Sequence, residues 1–187
     1  MTEKNTVPDF DDASLICRFR QDGDTLAIRT LFERYESQLK GYLMRILSSP
    51  HDAEDALQEA FCKALKSLSG YRESNRFKSW LFRIAHNEAM NIIRRRGRTE
   101  LREEPPEPND SMDDASTTLM QREDHQALET AIRDLPETER RVVLLRMKSG
   151  LTFKEIAELE CCSINTVLGR MHNAKKRLRV ALVEEAA

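Results

Sequence analysis

Apolar residues recur along this chain at steps of three and four, the spacing that gathers them on one face of a helix. "DDASLICRFRQDG" opens with acids, sets Leu15, Ile16 and Phe19 on one face and stops at Gly23, which predicts a short helix. A longer helix carries Leu26, Leu31, Phe32, Tyr35, Leu39, Tyr42, Leu43, Ile46 and Leu47 until "SSPHD" breaks it. "DAEDALQEAFCKALKSLSG" predicts a third, with Ala53, Ala56, Leu57, Ala60, Phe61, Ala64, Leu65 and Leu68 as its apolar stripe. Its acids come first and its lysines last, which suits the helix dipole, and Ser69-Gly70 ends it. After the polar stretch "YRESNR", a fourth helix carries Phe77, Trp80, Leu81, Ile84, Ala85, Ile92 and Ile93 and ends in "RRRGR".

These four helices make a first block, about residues 10–97. The pattern lapses over about 98–124, where "LREEPPEPNDSMDDASTT" holds prolines, acids and almost no large apolar side chains. Such a segment cannot bury enough surface to fold by itself, so it reads as a flexible acidic linker. A second block spans about 125–183. One helix runs to Asp134, and Pro136 opens the next in its first turn, followed by Val142, Val143, Leu144, Leu145 and Met147 and closed by Gly150. Thr152 with Glu155 forms a capping box for a short helix whose Phe153, Ile156, Ala157 and Leu159 face inward. Ser163 caps a last helix. The fold class is all-α: two small helical domains and a linker.

Composition narrows the function. Only 6 Gly and 6 Pro in 187 residues argue against a fold made of many tight turns. No apolar run approaches a membrane span and "MTEKNTVPDFDD" is not a signal peptide, so the expected location is the cytoplasm. The cysteines Cys17, Cys62, Cys161 and Cys162 form no Cys-x-x-Cys pair, and His86, His125 and His172 give no zinc-finger spacing with them. No metal, no cofactor and no nucleophile–base pair is expected, which makes an enzyme the weakest reading.

The last two helices read as helix-turn-helix. On the final one Val167, Met171, Ala174, Leu178 and Ala181 form a buried stripe, while Thr166, Arg170, Asn173 and Arg177 line another face, flanked by Asn165, His172, Lys175, Lys176 and Arg179. Small polar groups at the start and cations at the end suit base edges and phosphates respectively. From Ser163 to Ala181 there is no Asp or Glu, although the whole chain carries a formal net charge of -2. A solvated charged face on a small bundle is the bland alternative, and the unbalanced cations favour DNA instead. The first block repeats the theme: Lys78, Arg83, Asn87 and Asn91 lead into Arg94, Arg95, Arg96 and Arg98, with Tyr71, Phe77 and Trp80 near the preceding loop. Aromatic rings beside cations can stack unpaired bases. Phe77 reads better as core.

With these motifs in order, the chain resembles an extracytoplasmic-function sigma factor, the minimal two-domain form of the major bacterial sigma family. "DAEDALQEAF" resembles the region 2.2 helix, "FKSWLFRIAHNEAMNIIRRR" regions 2.3–2.4, and "DLPETERRVVLLRMKSGLTFKEIAEL" with "SINTVLGRMHNAKKRLR" region 4. The resemblance implies a sigma region 2 domain at 10–97, an acidic linker at 98–124 and a sigma region 4 domain at 125–183. It implies that Asp52, Asp55, Gln58, Glu59 and Phe61 meet the β′ clamp helices of core RNA polymerase, with the β flap as a second contact. Promoter DNA is the other implied partner: Tyr71, Asn75, Lys78, Trp80, Arg83, Asn87, Asn91, Arg94 and Arg95 for the −10 element, and Ser163, Asn165, Thr166, Leu168, Arg170, His172, Asn173, Lys175, Lys176 and Arg177 for the −35 element. The loop from about Ser67 to Arg76 matches the one that holds a flipped −10 base, and the linker matches a segment that threads toward the polymerase active centre. An anti-sigma factor is the implied regulator.

The chain departs from that pattern at two places. Relatives usually have Leu-Gly at the helix-turn-helix corner, where this chain has Glu160-Cys161. Either a left-handed corner puts roughly 1 kcal/mol of strain on Cys161, or the turn is modified. Leu168 and Gly169 stand where polar or small residues are common, and Leu168 suits a thymine methyl. Two other functions compete. A dimeric helix-turn-helix repressor leaves the acidic "DAEDALQEAF" helix without a role, and a non-DNA adaptor leaves the cations of the last helix unexplained.

Overall fold

The computed structural model describes residues 10–72, 76–99 and 127–184, and every regular element among them is helical. The linker assigned to 98–124 lies outside these residues, apart from the end of a helix that reaches Thr99. The first half contains α1 (Asp12–Asp22), α2 (Thr25–Leu47), α3 (Pro50–Ser67) and α4 (Phe77–Thr99). In the second half, α5 covers helical residues 127–133, followed by α6 (Glu137–Leu144), α7 (Phe153–Leu159) and α8 (Ile164–Glu184).

Local chemistry sets the helix ends. Asp11 accepts from the Ser14 N–H at 2.9 Å to start α1, and Asp24 accepts from Leu26 and Ala27 at 3.0 and 3.1 Å to start α2. Ser49 caps α3 and Pro50 occupies its first turn, where a missing N–H costs nothing. Gly23 closes α1 with φ 66°. Pro136 sits one residue earlier than the sequence pattern places it: it is the N-cap of α6, whose first helical residue is Glu137. The predicted Thr152–Glu155 capping box is complete.

Leu31, Leu39, Tyr42, Leu43, Ala60, Ala64, Leu81 and Phe82 are fully buried between α2, α3 and α4. Phe77 is core, as its pattern predicts. The same cluster continues into the second half through Val142, Leu145, Leu151, Ile156, Val167 and Ala174. Three residues assigned to apolar stripes face outward instead: Leu26 is 64% exposed, Leu65 42% and Met147 57%. Leu26 sits in the first turn of α2 and Leu65 in the last turn of α3, where no neighbouring helix covers them. Met147 lies in a five-residue π-helical turn, Leu145–Ser149, whose wider pitch rotates it off the α6 stripe.

At the corner between α7 and α8, Cys161 has φ 50°. Of the two possibilities left by the sequence, the corner keeps the left-handed backbone, on a residue with a Cβ. Relieving it offsets the greater freedom glycine gains in the unfolded chain. Cys161→Gly should therefore raise unfolding stability by about 0.5 kcal/mol, and Cys161→Val should lower it by about 1–2 kcal/mol. Denaturant titration of the three chains checks both signs.

Candidate nucleic-acid interface

The last helix presents the surface its sequence describes. Ser163 caps it, its hydroxyl accepting from the Thr166 N–H at 3.1 Å. Val167, Met171 and Ala174 are buried beneath α8, and Leu178 and Ala181 are half-buried. On the opposite face Ser163, Asn165, Thr166, Leu168, His172, Asn173, Lys175, Lys176 and Arg177 are all exposed. Leu168, 43% exposed, offers a methyl surface between polar neighbours. Arg177 also reaches back to Glu139 of α6 at 3.2 Å. Arg170 is only half-buried, with Nη1 3.6 Å from Glu160 and 3.9 Å from the Cys162 sulfur.

On α3, Asp55, Gln58 and Glu59 form an exposed polar stripe. Phe61 lies beside it, its ring stacked on Phe32 at 4.6 Å. Asp52 is not part of this stripe. It pairs with Arg96, whose other arm donates to the Leu47 carbonyl at 2.9 Å, and so ties the end of α4 to the α2–α3 junction. Spacing could not reveal that partner, which is 44 positions away in the sequence.

The candidate −10 residues are spread along α4. Tyr71 is buried, 4.7 Å from the Trp80 ring and 5.7 Å from Phe77; Trp80 itself is half-buried. Asn87, Arg94 and Arg95 are exposed, and Arg94 donates to the Asn91 side chain. Asn75 lies outside the described residues.

What the sequence missed is that the two halves meet, α2 and α4 against the second half, with the outer face of α8 left exposed. Glu155, on α7, accepts from Arg76 and, at 3.0 Å, from Arg83. Burial alone would raise its carboxyl, but bonds from the Thr152 N–H and hydroxyl, with Arg76, outweigh that and bring it down to about 2. Arg45 of α2 pairs with Glu129 of α5, and the Ser79 hydroxyl donates to the Ser149 carbonyl at 3.3 Å. At the centre of the seam Tyr42 and His86 of the first half face Glu160 of the second. The Tyr42 hydroxyl lies 2.6 Å from His86 Nδ1, and His86 Nε2 lies 3.5 Å from Glu160. Arg141 holds the Glu160 carboxylate in a fork, donating from Nε and Nη2, each at 2.9 Å. His86 is 1% exposed and the Glu160 side chain 3%. A neutral imidazole fits this order: Nδ1 accepts from tyrosine and Nε2–H faces the carboxylate. Burial drives its pKa down to about 4, against the pull of Glu160 and with the help of Arg141. One like-charged contact opposes the seam: Lys78 titrates lower than a free lysine, through burial and the nearby Lys148.

Two family models match the chain. One, described as Sigma-70 region 2, covers residues 31–99, and one described as Sigma-70, region 4, covers 125–178. The ECF RNA polymerase sigma-E factor of Haemophilus influenzae is 32% identical over 89% of this chain and 93% of its own length. The RNA polymerase sigma-H factor of Pseudomonas aeruginosa is 30% identical over 87% and 89%. Among solved structures, the fold is similar to the Bartonella quintana sigma factor RpoE bound to the anti-sigma factor NepR, with TM-score 0.67 and 23% identity over 82% and 97% of the two chains. It is also similar to CnrH bound to the cytosolic domain of CnrY, with TM-score 0.61 and 22% identity over 94% and 99%. No helix among the described residues is long and apolar enough to cross a membrane.

The seam has a pH signature. If parting the halves returns His86 toward its ordinary pKa of 6.5, the packed form holds its full advantage above pH 6.5 and loses it as pH falls to about 4. The ratio of parted to packed chains should then rise by up to about tenfold per pH unit across that range. Glu155, near 2, stays charged throughout and does not contribute. The groups around His86 are Tyr42, Glu160 and Arg141, with Arg170 behind Glu160. Small-angle scattering between pH 7 and 5 should show the radius of gyration growing for the native chain. The His86→Gln chain should show no such growth, and equal growth in both would place the proton elsewhere.

Proposed function

The chain belongs to the ECF group of sigma-70 RNA polymerase sigma factors, and from that membership we infer how its surfaces divide the work. It is a transcription initiation factor that joins core RNA polymerase and directs it to promoter DNA. The proposal concerns which residues do this. The outer face of α8 carries the reading of the −35 element. Ser163, Asn165, Thr166 and Leu168 lie at the base-reading end, with Arg170 behind them and Lys175, Lys176 and Arg179 along the phosphates. The single observation behind this is that the face is exposed and holds no carboxylate. Asp55, Gln58 and Glu59, with Phe61 at their edge, form the contact to the clamp helices. Lys78, Arg83, Asn87, Arg94 and Arg95 line the path of the −10 strand, and Tyr71 and Trp80 supply rings at its start. Residues 10–97 and 125–183 act as separate DNA-binding units on a 98–124 tether. No covalent chemistry is assigned to the chain.

The packed arrangement is the resting form in this scheme. Elements at −10 and −35 are roughly 25 base pairs apart, on the order of 80 Å of duplex. Arg83 and Glu155 are 3.0 Å apart, so packed halves cannot occupy both elements. Glu155 also holds Arg83, one of the residues assigned to the −10 strand. Control by an anti-sigma factor is part of the proposal; the similar folds of RpoE and CnrH, each solved with a regulatory partner, support it.

Two experiments test the assignment. Asp55→Ala combined with Gln58→Ala should reduce core polymerase recovered in a pull-down at least tenfold with helix content unchanged; undiminished recovery would remove this face from the scheme. In reconstituted transcription, Arg170→Ala should abolish dependence on the −35 sequence, since a lost base contact costs about 1–3 kcal/mol. Lys176→Ala should instead weaken all sequences alike and flatten the salt dependence. Equal loss of discrimination in both variants would contradict the division between base reading and phosphate grip.

A further inference from the structure

α3 runs into a short 3-10 turn, Leu68–Gly70, and the loop assigned to the flipped −10 base departs from there. The end of a helix leaves carbonyl oxygens short of partners. Arg20, in the last turn of α1, donates to three carbonyls here, of which Leu68 also accepts from the Tyr71 N–H at 3.2 Å. Its Nε donates to the Leu68 carbonyl at 3.0 Å, and its Nη2 donates to the Leu68, Ser69 and Tyr71 carbonyls, the Ser69 bond measuring 3.1 Å. The contact joins residues 48 to 51 positions apart. A cation at this place also meets the negative end of the helix dipole.

The last of those carbonyls belongs to Tyr71, the residue at which the loop leaves the helical core. Its ring is buried and wedged against Trp80 and Phe77. Arg20 thus fixes the backbone of Tyr71 on one side while the aromatic cluster fixes its side chain on the other. A loop that must receive an unstacked base gains from such anchoring. Each residue left free would cost about 1–2 kcal/mol to order on binding, and the pocket would accept several bases in several poses.

We propose that Arg20 is a positioning residue for −10 recognition: its guanidinium fork holds the root of the base-binding loop and thereby sets base selectivity without touching DNA. The proposal rests on the assignment of residues 67–76 to the flipped base. A lysine cannot replace the fork, because one ammonium presents no planar set of donors to three carbonyls at once.

The test uses holoenzyme assembled from core polymerase and the full chain. Binding is measured to fork-junction promoters that carry each of the four bases in turn at every unpaired −10 position. The native chain should prefer one base at the flipped position. Arg20→Met keeps the alkyl stem and should lose at least fivefold of that preference, while affinity for core and dependence on the −35 element stay unchanged. Arg20→Lys should lose it as well and keep the charge and thermal stability, which separates positioning from a stability effect. Arg29→Met, which removes an exposed pair with Glu33, should leave every reading at the native value. Full selectivity in both Arg20 variants, beside a selective native chain, overturns the proposal. A native chain with no base preference at any −10 position overturns the loop assignment and the proposal with it.

Discussion

Glu160 is a carboxylate in a place where charge is expensive, and the arrangement of the two halves depends on how it is satisfied. A buried ion without partners would cost several kcal/mol. Arg141 supplies the fork that prevents this, and Arg141 and Glu160 belong to the same half. Across the seam, His86 is satisfied by Tyr42, again within one half. The two pairs meet at one 3.5 Å contact. Parting the halves therefore breaks a single polar contact at this centre and leaves no charge stranded. The same holds for Glu155, which keeps its Thr152 hydrogen bonds when Arg76 and Arg83 leave. Each half carries its own partners, so the seam can form and separate without either half unfolding.

That construction suits a protein that must be compact in one state and stretched along DNA in another. Apolar residues of both halves belong to one cluster, so opening exposes shared area at about 25 cal/mol per Å². The polar groups of the seam, satisfied within their own halves, exchange protein contacts for water instead. Arg76 and Arg83 illustrate the exchange, since on parting they leave the Glu155 carboxylate for water. Lys78 beside Lys148 adds a repulsion that only the packed form feels. Closure is opposed by at least that one like-charged contact.

The helices were legible in the sequence because their signals are local. Asp24, Pro50, the Thr152–Glu155 box and Gly23 each act within four residues, and the stripe on α8 follows from spacing. Failures came where the deciding partner is distant or absent. Leu26 and Leu65 lie in helix end-turns, where periodicity continues but no neighbour packs. Asp52 looked like one of a row of surface acids until the fold brought Arg96 to it. The cation-rich face of α8 and the polar stripe of α3 were legible as faces. The contact between the two halves was not, because Arg76, Arg83 and His86 pair with residues more than 70 positions away, and spacing along one helix says nothing about another.

The corner residues Glu160 and Cys161 tie these observations together. In the pattern this chain resembles, the corner is Leu-Gly, an apolar residue followed by one that accepts a left-handed backbone. Cys161 takes that backbone at φ 50° despite its Cβ, so the geometry of the turn is retained and the strain is borne. Glu160 does not retain the apolar character. A leucine there would leave Arg141 with Glu137 as its carboxylate and His86 Nε2–H facing hydrocarbon, a buried donor unpaired. The acid at 160, the arginine at 141 and the histidine at 86 therefore form one unit distributed over both halves. Arg170 extends that unit to α8, since its guanidinium lies 3.6 Å from the same carboxylate. The turn that leads into α8 is thus also one of the points where the second half touches the first, and in the proposed scheme docking there and reading the −35 element share Arg170.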